Sequence, residues 1–290
     1  MSEFPLLVDE PRCGIANMAR DQALLEIVAS GVLPGVLRFY QWQPATLSLG
    51  YFQAYAARQD HLPSLACPIV RRASGGGAIL HDQELTYSLV LAADHPLARD
   101  TPKLYRAVHQ ALCDVLANLY HVTAIIWGDF PLLPPVQPSK TAHPQPSDTA
   151  PPFLCFLRRS PGDVVLVRPE SPPLTTDLRL PAKPFYAPAA GPTLKTDKIL
   201  GSAQRRRDGA VLQHGSLLLG QSKFAPELPG LAELTGQRIA ITELINAWST
   251  KLLAILGMDR FSPAQLSMEY TAAYGVAWEK FAAQEWLQTR

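Results

Sequence analysis

Apolar positions recur at helical spacing in three parts of the chain. The spacing predicts a helix over 16–29, ended by Gly31, and a clearer amphipathic helix over 104–120. Nearer the C terminus it predicts one helix that ends at Gly257 and a last one over 263–274 or beyond. The segment 240–290 is therefore expected to be helical.

Short apolar runs bounded by turn residues predict strands between these helices. The clearest runs are 36–40, 46–51, 122–127 and 164–167. The first two, joined by the turn residues 41–44, predict a hairpin. Two further apolar runs on either side of Asp208-Gly209 predict a second hairpin over 198–219.

Two stretches, 131–152 and 168–192, show no period and are dense in Pro, Ser and Thr. Loops of this length are usually functional or disordered. We interpret neither stretch as a domain linker, because the motifs described below lie on both sides of each one.

The composition favours a globular enzyme with a sizeable core. The chain has 290 residues, of which 47% are hydrophobic and 18% charged. A formal net charge of +1 gives no electrostatic case for nucleic acid or a membrane surface. The start lacks the pattern of a signal peptide, and no apolar run is long enough to span a bilayer.

The four cysteines form neither a disulfide framework nor a metal-binding spacing; they are Cys13, Cys67, Cys113 and Cys155. The chain is therefore expected to be cytosolic, with free thiols. Cys113 falls on the polar face of the helix over 104–120, which predicts a surface or groove thiol. By itself, Cys155 is better explained as a buried, inert thiol.

A glycine triplet, Gly75-Gly76-Gly77, follows the short apolar run 68–70. Three glycines in folded structure are entropically costly, and they suit a place where backbone passes close to another group. Two arginines precede the triplet, and His81-Asp82 follow it. A glycine-rich turn with solvated arginines is the simpler interpretation, and neither P-loop nor dinucleotide spacing is present.

Residues 71–82 read Arg-Arg-x-Ser-Gly-Gly-x-x-x-x-His-Asp, which resembles the signature of the lipoate/biotin protein ligase and octanoyltransferase superfamily. The continuation over 83–88 and the segment 37–53 are similar to the LipM-type octanoyl-[acyl carrier protein]:protein octanoyltransferases. Without that resemblance, Trp42 and Tyr51 are better explained as core or rim aromatics, and His214 as a structural residue.

A second motif, Lys198-x-x-Gly201-Ser202-Ala203, resembles the superfamily's Lys-x-x-Gly-Ser-Ala motif, whose lysine lies in the acyl pocket. An ammonium group beside an acyl carbonyl can stabilise developing negative charge. The small residues after the lysine let backbone approach the acyl group. A lysine before Gly-Ser-Ala is a weak signal alone and a strong one after the glycine triplet.

Cys155-Phe156 resembles the Cys-Phe pair that carries the nucleophile in LipM-type enzymes, whereas ATP-dependent ligases need no cysteine there. A thiolate is both a good nucleophile and a good leaving group, so an acyl-enzyme can form and be resolved. Over 157–162 the chain departs from the family's usual continuation.

The resemblance implies an α/β fold with a mixed, largely antiparallel sheet flanked by helices, and one catalytic domain over 1–290. It implies that Cys155 and Lys198 are catalytic. It also implies that the substrate is bound by Arg72, Ser74, Gly75, Gly76, Gly77, His81, Gly201, Ser202 and Ala203.

The function implied is transfer of an octanoyl group from acyl carrier protein to a lysine of a lipoyl domain or glycine cleavage H protein. Cys155 would carry the acyl group as a thioester, backbone N–H groups would hold the oxyanion, and no cofactor or metal would be needed. The residues 205–207, all arginine, are either a solvated loop or a steering patch for the acidic carrier.

Three alternatives stay open. An ATP-dependent lipoate–protein ligase, which would use ATP and Mg²⁺, would hold an acyl-adenylate with the same loop and Lys198. An amidotransferase would move octanoyl between two lipoyl domains through Cys155. An acyl-binding or regulatory protein would keep the pocket without turnover.

Overall fold

A computed structural model describes residues 3–129, 152–169, 194–263 and 266–290. The strands are β1 Glu3–Val8, β2 Gly35–Tyr40, β3 Thr46–Leu49, β4 Ile69–Arg71, β5 Ile79–His81, β6 Glu84–Leu91, β7 Thr123–Ile126, β8 Val164–Pro169, β9 Leu194–Arg207, β10 Ala210–Leu218 and β11 Arg260–Pro263. The α-helices are α1 Gly14–Ala29, α2 Pro96–Arg99, α3 Thr101–Tyr120, α4 Leu231–Thr235, α5 Ile241–Leu256, α6 Met268–Ala282 and α7 Gln284–Leu287.

The larger sheet has eight strands in the order β11-β1-β2-β6-β10-β9-β8-β7. The pairs β11–β1 and β1–β2 are parallel, and each of the other neighbours is antiparallel. Helices α3 and α5 cover one face, while α1 and α6 lie against the other. The predicted fold class, a mixed and largely antiparallel sheet flanked by helices, is confirmed.

The two faces of the central strands differ in chemistry. On β6, Leu85, Tyr87 and Leu89 point into the core beneath α3 and α5, where Trp248 packs against Tyr87. The alternate residues Glu84, Thr86 and Ser88 point to the opposite face and are also buried. This strand therefore has a period of two with polar residues inside, and those residues need hydrogen-bond partners there.

A smaller sheet of three strands, β4-β3-β5, carries the glycine-rich segment between β4 and β5. The predicted hairpin of 36–40 and 46–51 is wrong, because β2 pairs in the larger sheet and β3 in the smaller one. Between these strands the chain is redirected by pairing with Arg12, whose carbonyl oxygen accepts from the Gln43 amide.

The hairpin predicted around Asp208-Gly209 is confirmed. Strands β9 and β10 pair antiparallel, starting from Arg207 opposite Ala210, and both turn residues have positive φ. The residues 205–207, however, belong to β9 and not to a loop. Arg205 donates to the Ala73 carbonyl oxygen and Arg206 to that of Ala98, so these arginines do not form one patch.

Several other boundaries differ from the sequence-based expectations. The C-terminal segment 240–290 is not wholly helical: Pro263 ends β11, which pairs with the unpredicted β1. Cys113 is buried against the sheet, and burial raises the pKa of its thiol to about 12. Helix α3 packs against both the sheet and α5, so its exposed face is narrower than the spacing of its apolar residues indicates.

Of the two proline-rich loops, residues 131–151 and 170–192 lie outside the described part of the chain. Arg168 and Pro169, placed in the second loop by the sequence, belong to β8. That residues 1–290 form one domain stays a prediction. Within the described ranges, no helix combines the length and the apolar character needed to cross a membrane.

We predict that Gly215→Ala destabilises the fold by about 1–3 kcal/mol, because overpacking a filled core has this cost. Gly215 on β10 faces Ser202 on β9, and an added Cβ would lie 2.7 Å from the Tyr87 ring and 2.8 Å from the Gly201 carbonyl oxygen. Urea denaturation measures the free energy of unfolding.

The matched control is Gly275→Ala in α6, where an added Cβ meets nothing within 4 Å. Alanine there should be neutral or stabilise the helix by up to about 1 kcal/mol. Equal effects of the two substitutions would contradict this account of the β9–β10 contact.

Candidate active site

Arg72 organises the glycine-rich loop from inside. Its Nη1 donates to the carbonyl oxygen and Oγ of Ser48, at 2.9 and 2.6 Å. Its Nη2 donates to the carbonyl oxygens of Gly75 and Gly77, at 3.2 and 2.8 Å. The side chain is buried, and burial lowers its pKa to about 10. Its Nη donors are thus occupied by Ser48 on β3 and by the loop, which it ties to that strand.

Two of the three glycines, Gly76 and Gly77, are required by the backbone geometry around them. Gly76 has φ +97°, a conformation that favours glycine, and its carbonyl oxygen packs against Gly50 so closely that no Cβ fits there. An added Cβ on Gly77 would lie 3.3 Å from the Cα of Cys155 and 2.9 Å from Nη2 of Arg158. The triplet therefore lets the cysteine segment lie directly on the loop.

Cys155 is held on this loop by backbone pairing. Its amide donates to the Ala78 carbonyl oxygen at 2.7 Å, and the Ala78 amide donates to that of Phe153 at 3.1 Å. Cys155 begins a short 3-10 helix that ends at Leu157, and its side chain is half-buried.

The structure brings Lys198, on β9, to this cysteine. Its Nζ lies 3.6 Å from Sγ of Cys155 and 3.4 Å from the Cys155 carbonyl oxygen. The same Nζ forms an ion pair with Oδ2 of Asp163 at 2.8 Å, and both side chains are almost fully buried. Burial raises the pKa of the Asp163 carboxyl, although the ammonium group favours its ionised form.

Ser202 is a supporting residue. Burial lowers the pKa of His109 to about 3, so this imidazole is neutral. Nδ1 of His109 lies 2.7 Å from the Gly162 carbonyl oxygen, which can only accept, so Nδ1 donates and Nε2 accepts from Ser202 Oγ at 2.7 Å. Ser202 Oγ also lies 2.8 Å from the Tyr87 hydroxyl. Its proton is therefore committed to His109.

His81 forms part of the inner wall. Its ring stacks on Trp42 with centroids 3.8 Å apart, and burial lowers its pKa. Nδ1 lies 2.7 Å from a Glu84 carboxyl oxygen and Nε2 lies 2.6 Å from Ser48 Oγ. The Trp42 indole donates to Thr86 at 2.8 Å. His81 and Trp42 thus form a fixed surface.

Ser74, His214 and Asp21 form an arrangement resembling a catalytic triad. Ser74 Oγ lies 2.6 Å from His214 Nε2, and His214 Nδ1 lies 3.3 Å from Asp21 Oδ2. Burial, the largest single effect, would raise the pKa of Asp21, but Arg38 at 2.6 Å, His214 and Ser88 together outweigh it and lower the pKa. Ser74 is buried and is not part of the wall of the central cavity. These groups therefore connect the loop to the sheet and α1.

These elements surround a cavity of about 140 Å³ with mostly apolar walls. Of the residues predicted to form the site, the wall includes Arg72, Gly75, Gly76, His81, Cys155, Lys198, Gly201, Ser202 and Ala203. Gly77 and Ser74 support the wall from behind. The wall also includes residues that were not predicted from the sequence, among them Met18, Tyr40, Ile79, Thr86, Tyr105, Arg158, Ser160 and Asp163.

Asp163 is the most consequential omission. In the sequence, the feature that could have indicated it is a single acidic residue directly after a Pro-Gly turn and directly before the apolar run 164–167. Tyr105 lies on the long helix α3 and gave no local signal; its hydroxyl bonds both the amide and the carbonyl oxygen of Ser202.

Residues 14–225 match the family described as the lipoyl protein ligase A/B catalytic domain. The octanoyltransferase LipM of Macrococcus caseolyticus is 28% identical, and the alignment covers 94% of each chain. The octanoyltransferase LipM of Bacillus subtilis is also 28% identical, over 93% of this chain and 92% of the relative.

Among solved structures, a bi-partite lipoate protein ligase from Thermoplasma acidophilum superimposes with a TM-score of 0.63. It is 18% identical, and the match covers 100% of this chain and 98% of the ligase. A lipoate-protein ligase A bound with ATP gives a TM-score of 0.62 at 19% identity, with coverage of 99% and 98%. These similarities establish the fold.

We predict that Lys198→Met alone destabilises the protein by about 3–5 kcal/mol, because it leaves the Asp163 carboxyl buried without its ammonium partner. The double variant Lys198→Met with Asp163→Asn should recover most of that loss but none of the activity. Urea denaturation and acyl-transfer assays on the same samples measure both effects. Recovery of activity together with stability would show that Lys198 is only structural.

We predict that His109 makes the fold acid-sensitive. Its pKa falls from 6.5 to about 3 on folding, so between these values the unfolded chain binds a proton that the folded chain does not. The contribution of His109 to the free energy of unfolding is fully present above pH 6.5. Below that pH it falls by about 1.4 kcal/mol per pH unit. Between pH 7 and pH 5, wild type should lose about 2 kcal/mol more than His109→Gln in urea denaturation. Identical losses would contradict the assignment.

Proposed function

This chain belongs to the lipoyl protein ligase A/B catalytic domain family, and we propose that it carries its acyl group as a thioester on Cys155. It is an acyltransferase, an octanoyltransferase of lipoate biosynthesis. The observation that carries the proposal is the 3.6 Å distance between Cys155 Sγ and Lys198 Nζ at the wall of a largely apolar cavity.

In the first half-reaction the Cys155 thiolate attacks the carbonyl carbon of an octanoyl thioester. The C–S bond to Cys155 forms, and the carbonyl π electrons move to oxygen. When the tetrahedral intermediate collapses, the C=O bond reforms and the donor sulfur leaves as a thiolate, which then takes a proton. Lys198, with its ammonium group beside the sulfur, favours the thiolate and orients the acyl carbonyl.

In the second half-reaction the amine of an acceptor lysine attacks the thioester carbonyl. The new amide bond forms as the C–S bond to Cys155 breaks, and the amine proton passes to the departing sulfur. Two successive steps through one acyl-enzyme give ping-pong kinetics. No cofactor takes part in this scheme.

The donor in this proposal is octanoyl-acyl carrier protein, and the acceptor is a lysine on a lipoyl domain or on glycine cleavage H protein. The apolar cavity suits a saturated acyl chain, whereas the half-buried sulfur lies where a carrier can present its thioester. The four cysteines are free thiols, which fits a reducing compartment such as the cytoplasm.

We predict that wild type mixed with octanoyl-acyl carrier protein gains one octanoyl mass, and that Cys155→Ser does not form this thioester. Intact-protein mass spectrometry measures the adduct. The matched control is Cys13→Ser, which changes the other half-buried cysteine away from the cavity and should leave the adduct unchanged.

The same assay separates the alternatives. AMP release from octanoate and ATP that survives Cys155→Ala would identify a ligase. An adduct formed from octanoyl-H protein but not from octanoyl-acyl carrier protein would identify an amidotransferase. No adduct and no turnover with any donor would indicate an acyl-binding protein.

A further inference from the structure

The charged groups on the cavity wall do not cancel. They are Arg72, Arg158, Lys198 and the single acid Asp163. Lys198 and Asp163 neutralise one another at 2.8 Å. The Nη donors of Arg72 are taken by Ser48 and by loop carbonyl oxygens. Among the described residues, a positive charge whose side-chain donors have no hydrogen-bond partner remains on Arg158.

Arg158 differs from its neighbour Arg159. Arg159 lies outside the cavity wall, donates to the Thr196 carbonyl oxygen and packs over the Trp127 ring. The Arg158 amide donates to the Cys155 carbonyl oxygen at 3.3 Å. Within the described ranges the Arg158 side chain forms no hydrogen bond and no ion pair, and its guanidinium group lies against Gly77 at the cysteine. Its charge also opposes that of Arg72 and contributes to the lowered pKa of that side chain. Bringing an anion to this point would relieve the repulsion.

The chemistry proposed above produces an anion at this point. One negative charge starts on the Cys155 sulfur, moves to the carbonyl oxygen in the tetrahedral intermediate, and leaves on the donor sulfur. Two nearby backbone donors are already used, since the Cys155 amide bonds Ala78 and the Ser202 amide bonds the Tyr105 hydroxyl. The Lys198 ammonium group also lies at the sulfur, but its charge is neutralised by Asp163. A further positively charged donor would therefore stabilise the oxyanion.

We propose that Arg158 is a further catalytic residue, whose guanidinium group binds the oxyanion formed on the acyl carbonyl when Cys155 attacks. This inference rests on the proposed thioester function. The Lys198–Asp163 pair fixes the geometry at the sulfur with no net charge, and Arg158 supplies a positive charge whose donors are not taken by the loop. An arginine suits this role because its charge and planar donors persist at every working pH.

The test is a single-turnover measurement of octanoyl addition to Cys155 with two donors, octanoyl-acyl carrier protein and the small neutral octanoyl thioester of N-acetylcysteamine. Arg158→Gln should lower the saturating rate by about 100-fold with both donors, the usual effect of losing one oxyanion donor. Arg158→Lys should keep part of the rate. Added guanidinium ion at millimolar concentration should partly restore Arg158→Ala.

The matched control is Arg159→Gln, which should change the rate by less than about twofold. A loss confined to the carrier-protein donor, appearing in KM and vanishing at high salt, would assign Arg158 to carrier docking and overturn the proposal. So would an unchanged saturating rate in Arg158→Gln. If wild type itself forms no adduct, the proposed function fails instead, and melting temperatures of all variants show whether each one is folded.

Discussion

The site depends on the ion pair between Lys198 and Asp163. A buried ammonium group without a counter-ion would be too costly to keep, and here the carboxylate lies at 2.8 Å. Asp163 is placed by its neighbours: its carbonyl oxygen accepts from the Trp127 amide, and Gly162 packs its Cα against the Tyr105 ring. Helix α3 and the segment before β8 therefore decide where the lysine points.

Buried histidines hold the rest of the site in place. Each of His81, His109 and His214 bonds a serine hydroxyl through Nε2, at 2.6 or 2.7 Å. For His81 and His109, burial lowers the pKa and keeps the ring neutral, which gives each hydrogen bond one direction. The Ser74–His214 bond connects the glycine-rich loop to β10, and the Ser202–His109 bond connects β9 to α3. Cys155, by contrast, lies at the cavity wall, where the proposed mechanism needs its sulfur.

What could be predicted from the sequence depended on the range of the interactions involved. The β9–β10 hairpin follows from one local turn, and the pairing of Cys155 with Lys198 followed from two motifs. The failed β2–β3 hairpin shows the limit, because the partner of β3 lies beyond the next loop and no local pattern encodes it. Tyr105 was missed for the same reason: its contact with Ser202 arises only when α3 meets β9 at the cavity.

The glycine triplet and the cysteine form one packing unit. Gly76 needs its positive φ and its contact with Gly50, while Gly77 needs the absence of a side chain beneath Cys155. A bulkier residue at either position would move the loop away from the segment that carries the sulfur. Since Cys155 bonds Ala78 immediately after the triplet, the loop determines where the Cys155 sulfur lies relative to the cavity. The glycine motif, from which an acyl pocket is predicted, is thus also the segment against which Cys155 packs.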